Sequence, residues 1–266
     1  MHIETTNIDD LPGPIVDVDV ADDGRVLILA GDESARSIWL NGRAIEIGPA
    51  YVPSHVRFVG SGYFVTAGIT PDTSGLTLHS FEQPGIWTVH TGGDILDITI
   101  LGQWAVMGFG DINWVAGLLA VPLTGHTTIH YREAFRGNRG SLWDCHCLCR
   151  VDEDRVALHG CPDSRFVIWN LRRETQRVAS APESLAGADA LSIRGDIAYF
   201  FAPTRDEGRE PETIFERRFR TVFSWRIGSD GVERVGEFQA AAPRVRGLPG
   251  GRFLVFEDDS YSVITV

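Results

Sequence analysis

The stretch Ile15-Val16-Asp17-Val18, followed after a tight turn by Arg25-Val26-Leu27-Ile28-Leu29, is the first of six similar stretches in the chain. Each begins as a short apolar strand with one polar residue and continues, beyond its turn, into a more apolar strand. The other five openings are Ser54-His55-Val56-Arg57, Leu96-Asp97-Ile98, Trp143-Asp144-Cys145, Ala188-Asp189-Ala190 and Pro243-Arg244-Val245. A period of about forty residues built from short strands indicates a β-propeller, in which each repeat is one blade.

Two further strands follow in most repeats, and the outermost ones are the more polar, as edge strands should be. The sixth repeat reaches Val266 after three strands, whereas residues 3–8 precede the first repeat without a partner. We therefore expect the N-terminal segment to complete the last blade. The predicted fold is an all-β, six-bladed propeller of four-stranded antiparallel blades, a single domain over residues 1–266. Its blades lie near 14–50, 51–93, 94–133, 134–185, 186–241 and 242–266 plus 2–8.

One repeat carries a family motif. His159-Gly160-Cys161-Pro162-Asp163, followed by Phe166-Val167-Ile168-Trp169-Asn170, resembles the WD40 pattern of small-Gly-small-x-Asp and then an apolar strand that ends in Trp-Asp. The resemblance implies that Asp163 holds a turn, that Trp169 packs between blades, and that the chain is a WD40-like interaction scaffold. Asn170 stands where the family has an acidic residue, and the other blades share the architecture more than the motif.

Composition narrows the classes of function. The formal net charge of −12 argues against a nucleic-acid partner, whose phosphates need a basic surface. The basic residues are all arginine, which excludes Schiff-base chemistry on a lysine amine. No apolar run approaches the ~20 residues of a membrane span, and the N-terminus lacks the basic and apolar regions of a signal peptide. We expect a cytoplasmic monomer that binds neither nucleic acid nor membrane.

Polar residues recur at nearly the same place in the first strands. Four of them lie eight positions before the first residue of the second strand: Asp17, His55, Asp189 and Arg244. Asp97 lies seven positions before it, and Asp144 precedes a longer turn. Because first strands line the central channel of a propeller, we expect these six side chains to ring one mouth of it. A second layer would contain Asp19, Arg57, Thr99, His146, Leu191 and Arg246, with Asp19 paired to one of the two arginines.

Four carboxylates, one imidazole and one guanidinium at a channel mouth allow three interpretations. They fit a divalent cation held by carboxylate oxygens, or acid–base chemistry in which His55 or an aspartate has a shifted pKa. They also fit a solvated channel in which the polar groups fix the strand starts. Arg57 and Arg246 belong to the same candidate binding surface. Beyond a divalent cation in the channel, no cofactor is predicted.

The four cysteines are clustered: Cys145, Cys147, Cys149 and Cys161. If residues 152–154 close a hairpin, Cys145 lies opposite Cys161 and Cys147 lies opposite His159, so these four side chains share a face. Thiolate and imidazole are the ligands that zinc prefers. However, residues i and i+2 of a strand stand ~6.6 Å apart and diverge. Buried packing of reduced thiols is therefore the favoured interpretation.

The leading hypothesis is a non-catalytic intracellular binding scaffold. It would present one propeller face and the polar channel mouth to a protein or peptide partner, with a small-molecule ligand in the channel as a further option. A narrower variant is an acidic neutraliser of a basic protein. The insertion at 204–220 is a second candidate recognition surface, because long loops are often functional. The alternative is a hydrolase or lyase, with or without a bound metal ion, whose active site in the channel funnel uses His55, Asp97 and Asp144.

Overall fold

The computed structural model describes residues 1–32, 35–45, 52–69, 74–82, 87–90, 94–110, 117–123, 132–134, 144–161, 165–185, 187–203, 219–239 and 244–266. Within these ranges the chain forms six four-stranded antiparallel sheets, arranged as a six-bladed β-propeller. The only helical element described there is the 3-10 turn Glu183–Leu185. The predicted all-β propeller is confirmed. No helix in these ranges is long and apolar enough to cross a membrane.

The strands of the first three blades follow one another in sequence order from the channel outwards. Blade 1 contains β2 (Ile15–Val20), β3 (Val26–Gly31), β4 (Arg36–Leu40) and β5 (Arg43–Ile45). Blade 2 contains β6 (Val52–Val59), β7 (Tyr63–Ile69), β8 (Ser74–Ser80) and β9 (Trp87–His90). Blade 3 contains β10 (Asp94–Leu101), β11 (Trp104–Gly110), β12 (Gly117–Pro122) and β13 (Arg132–Ala134).

The last three blades have the same order, except that the N-terminal strand completes blade 6. Blade 4 contains β14 (Asp144–Arg150), β15 (Arg155–Cys161), β16 (Arg165–Asn170) and β17 (Thr175–Ser180). Blade 5 contains β18 (Ala190–Arg194), β19 (Ile197–Pro203), β20 (Phe219–Arg226) and β21 (Val232–Gln239). Blade 6 contains β22 (Arg244–Leu248), β23 (Arg252–Phe256), β24 (Ser260–Thr265) and β1 (His2–Asn7).

The two ends of the chain close the ring. Strand β1 pairs antiparallel with β24 over its whole length, from His2 opposite Thr265 to Asn7 opposite Ser260. The backbone groups of the last blade thus find partners that would otherwise be missing at an open edge. The predicted closure by the N-terminal segment is confirmed.

The hydrophobic core is a ring of six separate clusters, one between each pair of neighbouring blades. Trp169 packs with Leu101 and Leu148 between blades 3 and 4. Trp225 is fully buried between blades 4 and 5. The predicted inter-blade role of Trp169 is therefore confirmed, and each blade buries its apolar faces against its two neighbours.

The first strands share a local irregularity that positions the channel side chains. In blades 1 to 4 a β-bulge interrupts the ladder with the second strand. The bulged residues are Val16, Ser54, Leu96 and His146. A bulge increases the local twist and redirects side chains. The residue directly after the bulge begins the regular ladder, and we call this place the ring position.

The hairpin turns after the first strands differ in length. Three residues separate the closing pair in blade 2 (Val59 with Tyr63), and two separate it in blade 3 (Leu101 with Trp104). Blades 1, 4 and 6 resemble blade 2, and blade 5 resembles blade 3. In every blade where the bulge is seen, the ring position lies four residues before the first residue of the closing pair.

The backbones of blades 5 and 6 approach each other closely beside the channel. A Cβ atom added to Gly247 on β22 would lie 1.5 Å from the carbonyl oxygen of Leu191 on β18. The obstacle is backbone, which cannot rotate out of the way as a side chain can. Glycine at this position is therefore a requirement of the ring geometry.

We predict that Gly247→Ala destabilises the protein by about 3 kcal/mol or abolishes folding, because overpacked sites cost 1–3 kcal/mol and sometimes more. Gly231→Ala is the matched control, because nothing lies within 4 Å of its added Cβ and its backbone is not in the left-handed region. Urea denaturation of both variants measures the difference. A Gly247→Ala protein with the midpoint of Gly231→Ala would contradict the tight seam.

A buried histidine in blade 2 makes stability depend on pH. The ring of His79 stacks on Phe64 with 4.7 Å between centroids, and its Nε2 atom is 2.9 Å from the hydroxyl of Thr66. Burial lowers the pKa of His79 to about 4 from the ordinary value of 6.5. The unfolded chain therefore binds a proton between pH 6.5 and 4 that the folded chain does not bind.

We predict that the free energy of unfolding falls as the pH is lowered from 6.5 to 4, by up to about 3 kcal/mol from this residue. Urea denaturation at pH 7, 5.5 and 4.5 measures this decline. His79→Gln should flatten the decline, whereas His2→Gln, a change at an exposed ring, should leave it as in the wild type. Equal slopes in all three proteins would contradict the assignment.

Candidate functional site

The predicted ring of polar side chains surrounds a cavity at the channel end where the first strands begin. This cavity, here called the ring cavity, has a volume of about 550 Å³. Five of the six predicted residues line it: Asp17, His55, Asp97, Asp189 and Arg244. The sixth, Asp144, begins β14, but its side chain lies outside the described residues. Arg57 and Arg246 also line the cavity.

Strand register changes two of the predicted ring positions. In blade 4 the residue after the bulge is Cys147, three residues beyond Asp144. In blade 5 the four-residue offset from the closing pair gives Ala190 instead of Asp189. The expectation that Asp144 and Asp189 share the phase of Asp17 was therefore wrong. The cause in blade 5 is a hairpin turn one residue shorter than in blade 1. Blade 3 has the same shorter turn, which explains why Asp97 is in phase although it lies seven residues before the second strand.

The inner layer is corrected in the same way. Two residues after the ring position, blades 4 and 5 contain Cys149 and Ser192, where the sequence predicted His146 and Leu191. Leu191 is fully buried in the cluster between blades 4 and 5, and the side chain of His146 lies outside the described residues. The other predicted inner-layer residues keep their places: Asp19, Arg57, Thr99 and Arg246.

Three aspartates form the same connection between neighbouring blades. Each accepts the next amide of its own strand and one amide from the first strand of the following blade. Asp17 accepts from Val18 (3.0 Å) and Val56 (2.8 Å). Asp19 accepts from Val20 (3.0 Å) and Phe58 (2.7 Å), and Asp97 accepts from Ile98 (2.7 Å) and Leu148 (3.2 Å). These carboxylates are structural staples between blades 1 and 2 and between blades 3 and 4.

Arg57 connects three blades at the channel axis. From blade 2 it donates to the carboxylate of Asp17 in blade 1 and, at 3.1 Å, to that of Asp97 in blade 3. It also donates to the carbonyl oxygens of Ile98 (2.7 Å) and Val56 (2.7 Å). Arg246 of blade 6 pairs with Asp19 of blade 1, which is one of the two pairings that the sequence predicted.

The charged groups of this network keep each other ionised. Burial alone would raise the pKa of Asp17, but the cations of Arg57 and Arg246 outweigh burial and keep that pKa below its ordinary value. Burial alone would lower the pKa of Arg57, but Asp17 and Asp97 outweigh it and the pKa is raised. Both groups, each 4% exposed, therefore stay ionised across the physiological pH range.

His55 occupies the ring position of blade 2 with both ring nitrogens engaged. Nδ1 lies 2.8 Å from the hydroxyl of Ser54, and Nε2 lies 3.2 Å from the carbonyl oxygen of Leu96 in blade 3. The carbonyl can only accept, so Nε2 carries the proton and Nδ1 accepts from the serine. Burial, and then the charge of Arg57, lower the pKa of His55, although Asp17 opposes them. The imidazole is therefore neutral at pH 7.

Two charged residues of the ring cavity remain open to solvent. The carboxylate of Asp189 accepts from Arg220 at 2.7 Å, and its side chain is 34% exposed. Arg244 lies over the ring of Phe256 and 3.3 Å from the exposed carboxylate of Asp258. Burial lowers the pKa of Arg244, opposed by Asp258. A negative and a positive group thus face the same cavity from blades 5 and 6.

The predicted cysteine and histidine cluster is only partly described. Cys147 lies opposite His159, as expected, but the bulge puts Cys161 opposite Asp144 and Cys145 opposite Gly160. The predicted pairing of Cys145 with Cys161 was therefore wrong, and the side chains of both lie outside the described residues. The Cys147 thiol donates to the carbonyl of Ala188 at 3.1 Å. Among the described residues no group of three or more His, Cys, Asp or Glu side chains could hold a metal ion.

Cys149 is equally enclosed. Burial raises the pKa of its thiol to about 12, although a hydrogen bond from the amide of Ile193 acts in the opposite direction. A thiol with that pKa is a poor nucleophile at neutral pH. Two other predicted features, Asp163 and residues 204–218 of the insertion, lie outside the described residues.

A second cavity occupies the opposite end of the channel, where the hairpin turns after the first strands meet. This turn cavity has a volume of about 440 Å³, and Arg57 and Arg246 separate it from the ring cavity because they line both. Its rim includes Asp22, Arg150 and Arg252. Sequence reasoning missed this site. The available signal was an arginine beside the hairpin turn of three blades: Arg25, Arg150 and Arg252.

Comparisons with known proteins give the fold. The chain is similar to virginiamycin B lyase from Staphylococcus aureus, with a TM-score of 0.59 and 12% identity over 100% of this chain and 99% of that chain. It is also similar to the Swd1 β-propeller domain from Myceliophteria thermophila, with a TM-score of 0.58 and 8% identity over 98% and 99%. Hsv2 from Kluyveromyces lactis gives 0.52 and 12% over 92% and 72%.

These likenesses agree with the six four-stranded blades and confirm the predicted β-propeller architecture. No family model matches the chain, and no curated protein matches it in sequence. At these identities the structural likeness establishes the fold alone.

We predict that Arg57→Met destabilises the protein by about 3–5 kcal/mol, because it leaves buried carboxylates without their cation. Urea denaturation at pH 7 measures the loss. Arg226→Met is the matched control: this arginine pairs with Asp196 on the surface at 3.3 Å, and its removal should cost less than about 1 kcal/mol. Adding Asp17→Asn to Arg57→Met should restore part of the stability. Equal losses for Arg57→Met and Arg226→Met would contradict the structural role of the network.

Proposed function

We propose that this protein is a non-catalytic binding module that holds a protein or peptide partner at the ring cavity. The observation that carries the proposal is the division of the polar groups around this cavity. Asp17, Asp97 and Arg57 are fully engaged in connecting blades. Asp189 and Arg244 are partly exposed and face the cavity. A few oriented charges around a concave surface suit recognition.

The apolar part of the cavity supports the same proposal. Leu96, the bulged residue of blade 3, is 37% exposed at the cavity wall, beside Val16, Val245 and Phe256. Binding sites are typically concave and lined by apolar side chains with a few placed polar groups. An apolar anchor of a partner could occupy this wall while Asp189 and Arg244 contact polar groups beside it.

The acid–base groups of the cavity argue for binding over catalysis. A general base needs a nitrogen or oxygen that reaches the substrate. Both ring nitrogens of His55 are engaged by Ser54 and Leu96, and neither contact is a carboxylate that would orient the ring for proton transfer. The pKa of Asp17 is lowered instead of raised, so this carboxyl does not suit the role of a general acid.

The second candidate is a hydrolase or lyase in the same cavity. It is favoured by the likeness to virginiamycin B lyase, an enzyme with this fold, and by the presence of His55 and Asp97 in one cavity. On this alternative His55 would have to release Ser54 or Leu96 when substrate binds. A bound divalent cation, a monomeric state and a cytoplasmic location remain predictions.

The test is site-specific photocrosslinking of the intact protein expressed in its source cells. A photoreactive phenylalanine derivative replaces Leu96 at the ring cavity or Val178 on the outer strand β17, where the side chain is 52% exposed. We expect a discrete cross-linked partner from position 96 and none from position 178. Adducts from position 178 alone, or none from either position, would contradict the proposal.

Arg244→Ala provides the second arm. Among the described residues, Arg244 forms an ion pair with the exposed Asp258. Its removal should therefore change the free energy of unfolding little. It should reduce the adduct at position 96 at least fivefold, because a cation facing the cavity is lost. Arg226→Ala on the surface of blade 5 is the control and should leave the yield unchanged. If instead His55→Gln alone abolished a chemical conversion of the captured molecule, the enzyme alternative would be correct.

A further inference from the structure

The turn cavity concentrates positive charge in a protein whose net charge is −12. Five arginines and three aspartates contribute to its lining. The arginines are Arg25, Arg57, Arg150, Arg246 and Arg252, and the aspartates are Asp19, Asp22 and Asp23. Such a lining is unexpected in an acidic chain, and whether it can bind an anion depends on how many donors of each arginine are already used.

Two of the five arginines make close contacts within the fold. Arg25 pairs with Asp23 at 2.8 Å, donates to the carbonyl of Ser61 at 2.7 Å and lies over the rings of Phe58 and Phe81. Arg57 donates to two carboxylates and two carbonyl oxygens, as described above. Most donors of both arginines are therefore used within the fold, and Arg150, Arg246 and Arg252 are the cations with more donors left for a ligand.

Arg150 and Arg252 share a single carboxylate across the rim. Asp22, on the hairpin turn of blade 1, lies with Oδ2 4.0 Å from Nη2 of Arg150 in blade 4 and Oδ1 3.9 Å from Nη2 of Arg252 in blade 6. Both distances exceed a hydrogen bond. The side chain of Asp22 is 82% exposed. The exposed carboxylate of Asp22 therefore lies between two cations from different blades without a hydrogen bond to either.

The floor of the cavity has a cation with an unsatisfied donor. Arg246 bonds to Asp19 through Nη2, but its Nη1 atom is buried and has no hydrogen-bond partner among the described residues. The side chain of Arg246 is 7% exposed. A buried N–H group without an acceptor destabilises the state that contains it. Because Nη1 is enclosed, an oxygen at the floor of the cavity reaches it only when the Arg246 side chain rotates.

We propose that the turn cavity binds a small multivalent oxyanion, held by Arg150 and Arg252 at the rim and Arg246 at the floor, in place of the carboxylate of Asp22. Planar guanidinium groups match the paired oxygens of carboxylate and phosphate groups. Three of them approach one cavity from two blades, and the volume of about 440 Å³ admits a ligand of citrate size. Asp22 is the internal competitor that limits the affinity. This inference concerns the end of the channel opposite the ring cavity and does not rest on the proposed partner.

The test is isothermal titration of the intact protein at pH 7 and low ionic strength, with citrate in one series and inorganic phosphate in another. We expect saturable binding of at least one of the two anions. Binding of citrate alone identifies a carboxylate ligand, and binding of phosphate alone identifies a phosphorylated one. Both results support the site. Potassium chloride at matched ionic strength controls for screening.

The variants make the test specific. Arg150→Gln and Arg252→Gln should each weaken binding at least tenfold, and Asp22→Asn should strengthen it about fivefold because the competing carboxylate loses its charge. Arg226→Gln, at an exposed arginine that ends β20, and Arg244→Gln at the ring cavity should have no effect. No saturable heat from either anion with wild type and Asp22→Asn would overturn the inference. So would equal affinities for Arg252→Gln and Arg226→Gln.

Discussion

The innermost strand of each blade has one edge without a strand partner. The whole ring depends on which groups form hydrogen bonds with the backbone of that edge. Every second N–H and C=O group of this edge faces the channel, and a buried backbone group without a partner is costly. Asp17 and Asp19 are two residues apart, and the amides they reach, of Val56 and Phe58, are also two residues apart. Their carboxylates therefore accept the hydrogen bonds that the carbonyl groups of a neighbouring strand would accept. Where blades 5 and 6 meet, Ser192 serves in a similar way, donating to the carbonyl of Leu248 and accepting from the amide of Gly251.

This constraint explains why charge is buried at the axis. A carboxylate is a good acceptor for two amides at once, but its own charge needs a partner in the low-dielectric interior. Arginine is suited to that task because its five donors point in fixed directions, whereas an ammonium group concentrates its charge on one atom. Arg57 uses these directions to reach Asp17, Asp97 and the carbonyl of Ile98. The result is a charged partition that divides the channel into two cavities of different chemistry.

The sequence predicted the six blades, the closure by the N-terminal strand and the gathering of polar groups at a channel mouth, because all three follow from strand periodicity. It could not predict the exact phase, since that depends on the length of each hairpin turn and on the bulges. A turn one residue shorter puts Ala190 where Asp189 was expected, and the register of blade 4 puts Cys147 where Asp144 was expected. The turn cavity escaped prediction because its arginines come from different blades and become neighbours only when the ring closes.

In the proposed binding site, the bulge of blade 3 supplies a side chain that the connections between blades do not use. A ring-position side chain such as Asp97 is held by the neighbouring blade, so changing it would weaken the seam. The bulged residue before it, Leu96, has its side chain outside the ladder and is partly exposed at the cavity wall. A change at Leu96 should therefore affect stability less than a change at Asp97, whose carboxylate accepts a hydrogen bond from the amide of Leu148 in the next blade. Specificity at the ring cavity should accordingly depend on the bulged residues and on Asp189 and Arg244, and the buried charges beneath them should serve as a rigid base.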